Sequence, residues 1–243
     1  MTVELQSGYA IGEQYAEDPL VWVIDDFATE GEREHIMKIA GRSMDTARVS
    51  KLGDNAYSEK RTGSVAWLKH DHTPIVRGLV KRVSDLVDIP VRHAESLQVV
   101  HYAETQEYKP HYDAWDIHSE KGREKTARGG QRALTALMYL NEVDAGGSTG
   151  FPNLGIEVEP VPGRMVLFHN LYPGEHERHI DSLHGGMPVF YGEKWACNLW
   201  FREEPYQGAS AGGGAPRVKV TRAARPVSKK NRKAQRSARK KNR

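Results

Sequence analysis

The segment Tyr108-Lys109-Pro110-His111-Tyr112-Asp113 and its distant counterpart Ser182-Leu183-His184-Gly185-Gly186 decide how this chain is read. In an extended strand, side chains at i and i+2 leave the same face. His111 and Asp113 are therefore expected to project together from one strand, placing an imidazole and a carboxylate at one spot. A second imidazole from a strand far along the chain, His184, would complete a set of three ligands. A His-x-Asp pair alone is common, so the surrounding sequence has to decide.

Around this segment the pattern is one of short strands. Ser96–Tyr102 leads into it, and Ala133–Leu140, Ile156–Glu159 and Gly163–Phe168 follow. His184–Phe190 and Lys194–Arg202 read as a hairpin around Tyr191-Gly192-Glu193. Earlier in the chain, Leu20–Ile24 and Ser64–Leu68 read as strands. Thr29 with Glu32 forms a capping-box pattern that opens a helix up to Gly41. Pro74 opens a second helix with the stripe Ile75, Leu79, Val83, Leu86 and Val87. The polar stretch Ile117–Gln131 reads as a long loop, a candidate lid. Many short strands after two helices predict a β-sandwich or barrel with the helices packed outside.

Three further features carry chemistry. Two histidines and a carboxylate leave open positions on a metal, the arrangement that suits an oxygen-activating Fe(II). A structural zinc site usually recruits cysteine, and Cys197 is the only one in the chain. His176 and His179 are a rival pair, but Pro173-Gly174 places them in a loop. Lys194 reads by itself as a surface hairpin lysine; on the inner face of a narrow barrel it would require an anion beside it, because a buried unpaired ammonium is costly. A dicarboxylate co-substrate supplies one, and Thr135 and Tyr102 offer hydroxyl donors to the same carboxylate.

The composition bounds the rest. The chain has 243 residues, of which 28% are charged and 38% hydrophobic, ordinary for a globular protein. No apolar run spans a bilayer, which takes about 20 residues, and no secretory signal is visible at the N-terminus. With a single cysteine, these features predict an intracellular, cytoplasmic location and no membrane partner. Charge is unevenly distributed. Residues 216–243 hold 13 Lys/Arg and no acid, so the first 215 residues hold 22 basic against 32 acidic side chains. Four regions follow: an irregular lead-in (1–19), a folded domain (20–204), a Gly-rich flexible linker (205–215), and a basic tail (216–243) expected to be disordered alone. Clustered Lys/Arg without aromatic residues predict sequence-tolerant contact with nucleic acid or the ribosome.

The chain resembles the prolyl 4-hydroxylase family of Fe(II)/2-oxoglutarate dioxygenases. The matching stretches are Leu97–Tyr102, Gln106–Asp113, Gly129–Arg132, Thr135–Leu140, Gly146-Gly147, Phe151-Pro152, Ser182–Val189 and Gly192–Trp195, in order over about residues 20–204. The resemblance implies a mainly β fold with flanking helices, a double-stranded β-helix or jelly-roll core. It implies Fe(II) on His111, Asp113 and His184, and 2-oxoglutarate gripped by Lys194 with Thr135 and Tyr102 in support. O2 is the other co-substrate, and ascorbate the reductant. Tyr108, Trp200 and Arg61 fall where the substrate side is lined. The implied reaction is C4 hydroxylation of prolyl residues in a peptide or protein, releasing succinate and CO2. Hydroxylation of another residue or of a free amino acid on the same iron, or a non-catalytic binding barrel, are the alternatives. The chain departs from the family at Gly146-Gly147-Ser148-Thr149-Gly150, where Gly-Gly-Glu-Thr and a branched apolar residue are usual, and this bears on loop conformation and substrate choice.

Overall fold

The computed structural model describes residues 3–50 and 62–206. In chain order the elements are β1 (Glu13–Glu17), β2 (Leu20–Ile24), α1 (Glu30–Ser50), β3 (Ser64–Leu68), α2 (Pro74–Val87), β4 (Leu97–Tyr102), β5 (Tyr108–His111), α3 (Glu120–Thr126), β6 (Arg132–Tyr139), β7 (Ala145–Gly146), β8 (Thr149–Phe151), β9 (Ile156–Val158), β10 (Met165–His169), β11 (His184–Gly186), β12 (Val189–Tyr191) and β13 (Lys194–Arg202). Seven strands form one sheet in the order β1-β2-β10-β6-β13-β4-β3, and four form a second in the order β5-β11-β8-β9. Strands β12 and β7 make a separate two-stranded ribbon. The result is the expected mainly β fold, a jelly roll flanked by helices.

Strand alternation divides the molecule into layers. On β13, Cys197, Leu199 and Phe201 join Leu134 and Met138 of β6 and Ile36 of α1 in one core between the large sheet and the helices. The opposite face of the same sheet, with Val100, Tyr102, Tyr139 and Phe168, packs against Phe151, Val158 and Val189. The functional site lies within this second layer, where polar side chains replace part of the apolar filling.

Both helices open as their caps dictate. Thr29 N and Oγ1 donate to Glu32 Oε2 at 2.9 and 3.0 Å, and Thr73 Oγ1 accepts from Val76 N at 3.2 Å ahead of α2. His35 meets Thr73 Oγ1 at 3.0 Å, a structural use of a lone histidine. Helix α1 continues past Gly41 to Ser50, because Met44 extends its buried stripe. In α2 the buried stripe starts at Val76 and includes Val80, while Ile75 is turned outward.

Four other expectations change. Residues 1–19 are not wholly irregular: β1 pairs with β2 as an edge strand, and its largely exposed side chains left no alternation to read. The polar stretch 117–131 contains α3, capped by Ser119 Oγ accepting from Gly122 N at 2.9 Å. The hairpin around Tyr191-Gly192-Glu193 does not form. Strand β12 instead pairs with β7, with Val189 opposite Gly146, and β13 runs between β6 and β4 in the middle of the large sheet. The strand carrying His111 ends there, so Asp113 sits in a bend just beyond it. The linker and basic tail, from residue 207 onward, and Arg61 lie outside the described residues. Among the described residues no helix is long and apolar enough to cross a membrane.

Candidate metal centre

Strands β5 and β11 pair antiparallel with His184 directly opposite His111, which brings the two segments of the opening motif together. Nitrogen and oxygen atoms of His111, Asp113 and His184 lie within 4.8 Å of one another. His111 Nε2 is 3.7 Å from Asp113 Oδ1, and His184 Nε2 is 3.5 Å from Asp113 Oδ2.

The other ring nitrogens show which atoms are available. His111 Nδ1 lies 3.0 Å from the Lys109 carbonyl and His184 Nδ1 lies 2.9 Å from the Ser182 carbonyl. A carbonyl only accepts, so each Nδ1 carries a proton and each Nε2 is the ring atom turned toward Asp113. This is the outer hydrogen bonding that metal-bound imidazoles use. Tyr108 stacks on the His111 ring at 3.6 Å between centroids and 22° between planes, which holds the ring's orientation. Two imidazoles and one carboxylate, all converging, fit a divalent iron with open positions.

Asp113 is held in place by two donors on a single oxygen. Thr135 Oγ1 and Trp200 Nε1 each donate to Oδ2 at 2.7 Å. Thr135 in turn accepts from Asn170 Nδ2 at 2.8 Å, so the chain Asn170–Thr135–Asp113 is fixed in direction. Burial pushes the Asp113 carboxyl up, but the His184, His111 and Arg132 charges and the Trp200 hydrogen bond outweigh it and keep it below the usual carboxylate range.

These contacts show how two of the expected site residues are held. Thr135 gives its hydroxyl proton to Asp113 and is not among the residues that line the cavity. Trp200 does line the cavity, but its indole N–H is likewise committed to Asp113. Tyr102 and Lys194 stand opposite each other in the β4–β13 register, as expected for partners at one end of a site. Both line a cavity of about 230 Å³ with His111, Asp113, His184 and Tyr108.

Lys194 is 3% exposed, and burial pushes its ammonium down to about 7. Among the described residues no carboxylate pairs with it; its nearest charge-stabilising neighbour is the Tyr139 ring, at 5.1 Å. An anion is what this position lacks. His176 and His179 are absorbed elsewhere, by Glu203 at 2.6 Å and Asp18 at 3.1 Å.

Several residues of the site lie in stretches that carry the resemblance but had no role assigned from the sequence. Arg132 lies over Trp200 at 3.7 Å and Trp115 at 4.8 Å. It is anchored on Glu95, Nε to Oε1 at 2.7 Å and a second nitrogen to Oε2 at 2.8 Å. Gln131 holds the backbone of Trp115 from both sides, accepting from its N–H at 2.9 Å and donating to its carbonyl at 2.7 Å. At the unusual Gly146–Gly150 segment, Ser148 bonds to Glu157 and Thr149 accepts from Tyr139 at 2.7 Å. Gly146 and Gly147 both hold positive φ, at 78° and 72°.

Residues 97–202 match the family model of the 2OG-Fe(II) oxygenase superfamily. The chain is 36% identical over 223 residues to prolyl 4-hydroxylase 5 of Arabidopsis thaliana, covering 81% of this chain and 74% of that protein. It is 35% identical over 186 residues to a putative prolyl 4-hydroxylase of Acanthamoeba polyphaga mimivirus, with 76% and 75% covered. Among solved structures, a viral collagen prolyl hydroxylase from Paramecium Bursaria Chlorella virus-1, in complex with 2OG, shares the fold. Its TM-score is 0.60 at 24% identity, over 75% of this chain and 95% of that one.

Proposed function

Because this chain belongs to the prolyl 4-hydroxylase family of 2OG-Fe(II) oxygenases, we propose that it hydroxylates C4 of prolyl residues in a peptide or protein substrate, converting 2-oxoglutarate and O2 to succinate and CO2. Iron held by His111, Asp113 and His184 would supply the oxidising chemistry, in which one oxygen atom of O2 would enter the prolyl C–H bond and the other succinate as 2-oxoglutarate loses CO2.

The residues have separate tasks in this reading. His111, Asp113 and His184 would hold Fe(II), with the Lys109 and Ser182 carbonyls turning both Nε2 atoms toward the metal position. Thr135 and Trp200 orient Asp113. Lys194 receives the far carboxylate of 2-oxoglutarate, and Tyr102 stands across from it. The apolar lining near them, Val100, Leu137 and Ala196, excludes water around the reacting groups. Tyr108, Arg132, Trp115 and Trp200 form the wall where a peptide enters.

The observation that carries the proposal is the buried, anionless Lys194 in the same cavity as the His-Asp-His set. A metal site alone would leave that ammonium unexplained. Ascorbate, as the reductant that keeps iron in the ferrous state, belongs to the same reading. The test is succinate release with Fe(II), 2-oxoglutarate and ascorbate across a panel of proline-containing peptides, followed by mass spectrometry for added oxygen. Succinate release that no peptide stimulates, with oxygen found on a free amino acid instead, would replace the prolyl substrate with another.

A further inference from the structure

Trp67 lies on β3, the edge strand of the large sheet, and is 51% exposed. Its position is set by pairing. Trp67 is opposite Gln98 on β4, and Gln98 is opposite Asn198 on β13. Residues directly opposite share a face, and Gln98 and Asn198 both line the cavity. The Trp67 ring therefore extends the cavity wall outward past its rim. Its centroid is 6.0 Å from that of Trp200, with the planes inclined at 42°. Trp200 in turn donates to Asp113 at 2.7 Å and carries the Arg132 guanidinium at 3.7 Å. An aromatic row thus runs from the candidate iron ligand through the buried Trp200 ring and ends on an exposed indole.

A prolyl substrate gives this row an occupant. Proline-rich chain prefers the polyproline-II helix, which rises about 3.1 Å per residue, repeats every three residues and docks on aromatic surfaces. The span from Asp113 through Trp200 to Trp67 is then two or three residues of such a helix. The geometry points to Trp67 as a specificity-determining residue that receives a second proline ring, two or three residues from the one hydroxylated. This inference rests on the prolyl hydroxylase reading above.

The test begins with the unaltered full-length protein and peptides of equal length. One carries the target proline alone; others carry a second proline two or three residues away on either side. A second ring is expected to lower KM about five- to tenfold, in line with aromatic packing energies, and to tighten binding by the same factor in calorimetry without O2. Trp67→Gln is expected to abolish that discrimination while Trp67→Phe retains it. Equal KM values for single- and double-proline peptides with the unaltered protein would overturn the inference, as would discrimination surviving Trp67→Gln. Light scattering is run in parallel. Self-association of the unaltered protein that Trp67→Gln removes would place a second copy of the chain on this face, and would also overturn it. Absence of hydroxylation on every peptide would instead sink the prolyl reading itself, and this inference with it.

Discussion

The indole nitrogen of Trp200 lies 2.7 Å from Oδ2 of Asp113, joining residues 87 positions apart in the chain. Thr135 reaches the same oxygen at the same distance. One carboxylate oxygen is thereby saturated by two neutral donors, which fixes the rotamer that aims Asp113 between His111 and His184.

Removing one of these donors should weaken the iron site. Trp200→Phe keeps the ring and deletes the N–H, and Thr135→Val deletes the hydroxyl. Each is expected to reduce Fe(II) affinity about 10- to 100-fold, the usual cost of losing an outer-shell partner. The double variant should fall short of the product of the two, because both act on one oxygen. Anaerobic metal titration measures all three, and unchanged affinity in both single variants would show that Asp113 is held by other means.

His111→Ala and Asp113→Ala should each abolish peptide-dependent succinate release and stoichiometric Fe(II) binding. Turnover retained in either would remove that residue from the iron site.

Lys194 should make 2-oxoglutarate binding pH-dependent. Burial holds the ammonium at about 7, against an ordinary 10.5. A bound carboxylate restores the charged form, so above about pH 7 binding must take up a proton. Affinity should fall by up to about tenfold per pH unit there, and calorimetry in buffers of different ionisation enthalpy should report the uptake. Lys194→Met should bind weakly with a flat profile. In the unliganded protein the folded state binds fewer protons than the unfolded one between about pH 7 and 10.5, so the Lys194 contribution to stability rises with pH across that window.

Glu95 should matter to stability more than its distance from the metal implies. It is 5% exposed and pairs with Arg132 at 2.7 Å and Arg202 at 2.6 Å. Glu95→Ala leaves two guanidiniums without their shared carboxylate and should cost about 3–5 kcal/mol, read by denaturant unfolding. Activity should drop as well, since Arg132 is what covers Trp200.

The tail can be tested separately from the iron site. Deleting residues 216–243 should leave kcat on a short peptide unchanged and remove binding to single-stranded RNA. In the full chain that binding should weaken steeply with added salt, as counterion release requires. RNA binding by the truncated protein would assign it to the body instead.

Much of this was legible before the fold. The caps at Thr29 and Thr73, the period-two strands and the His111, Asp113, His184 and Lys194 set are local patterns or residue types chemically suited to one task. Expectations failed where the outcome depended on distant pairing. The segment after Gly186 read as a hairpin with Lys194–Arg202, yet β12 pairs with β7 and β13 enters the middle of the large sheet. No local pattern distinguishes those two destinations, because both bury the same alternating face. Thr135 was read as a donor to the co-substrate, and its proton goes to Asp113: a hydroxyl's chemistry is visible in sequence, but its acceptor is not.

The sequence by itself determined the donors of the site, since few side chains ligate iron or pair with a carboxylate, and strand periodicity confines where they project. Only the tertiary structure decided how those donors are used. The Lys109 and Ser182 carbonyls turn both histidine Nε2 atoms toward Asp113, Trp200 and Thr135 meet on one Asp113 oxygen, and strand register leaves Trp67 uncovered at the cavity rim. Each of these depends on where a carbonyl, an indole or a neighbouring strand arrives from far along the chain, and that is settled by packing, not by the residues' own chemistry.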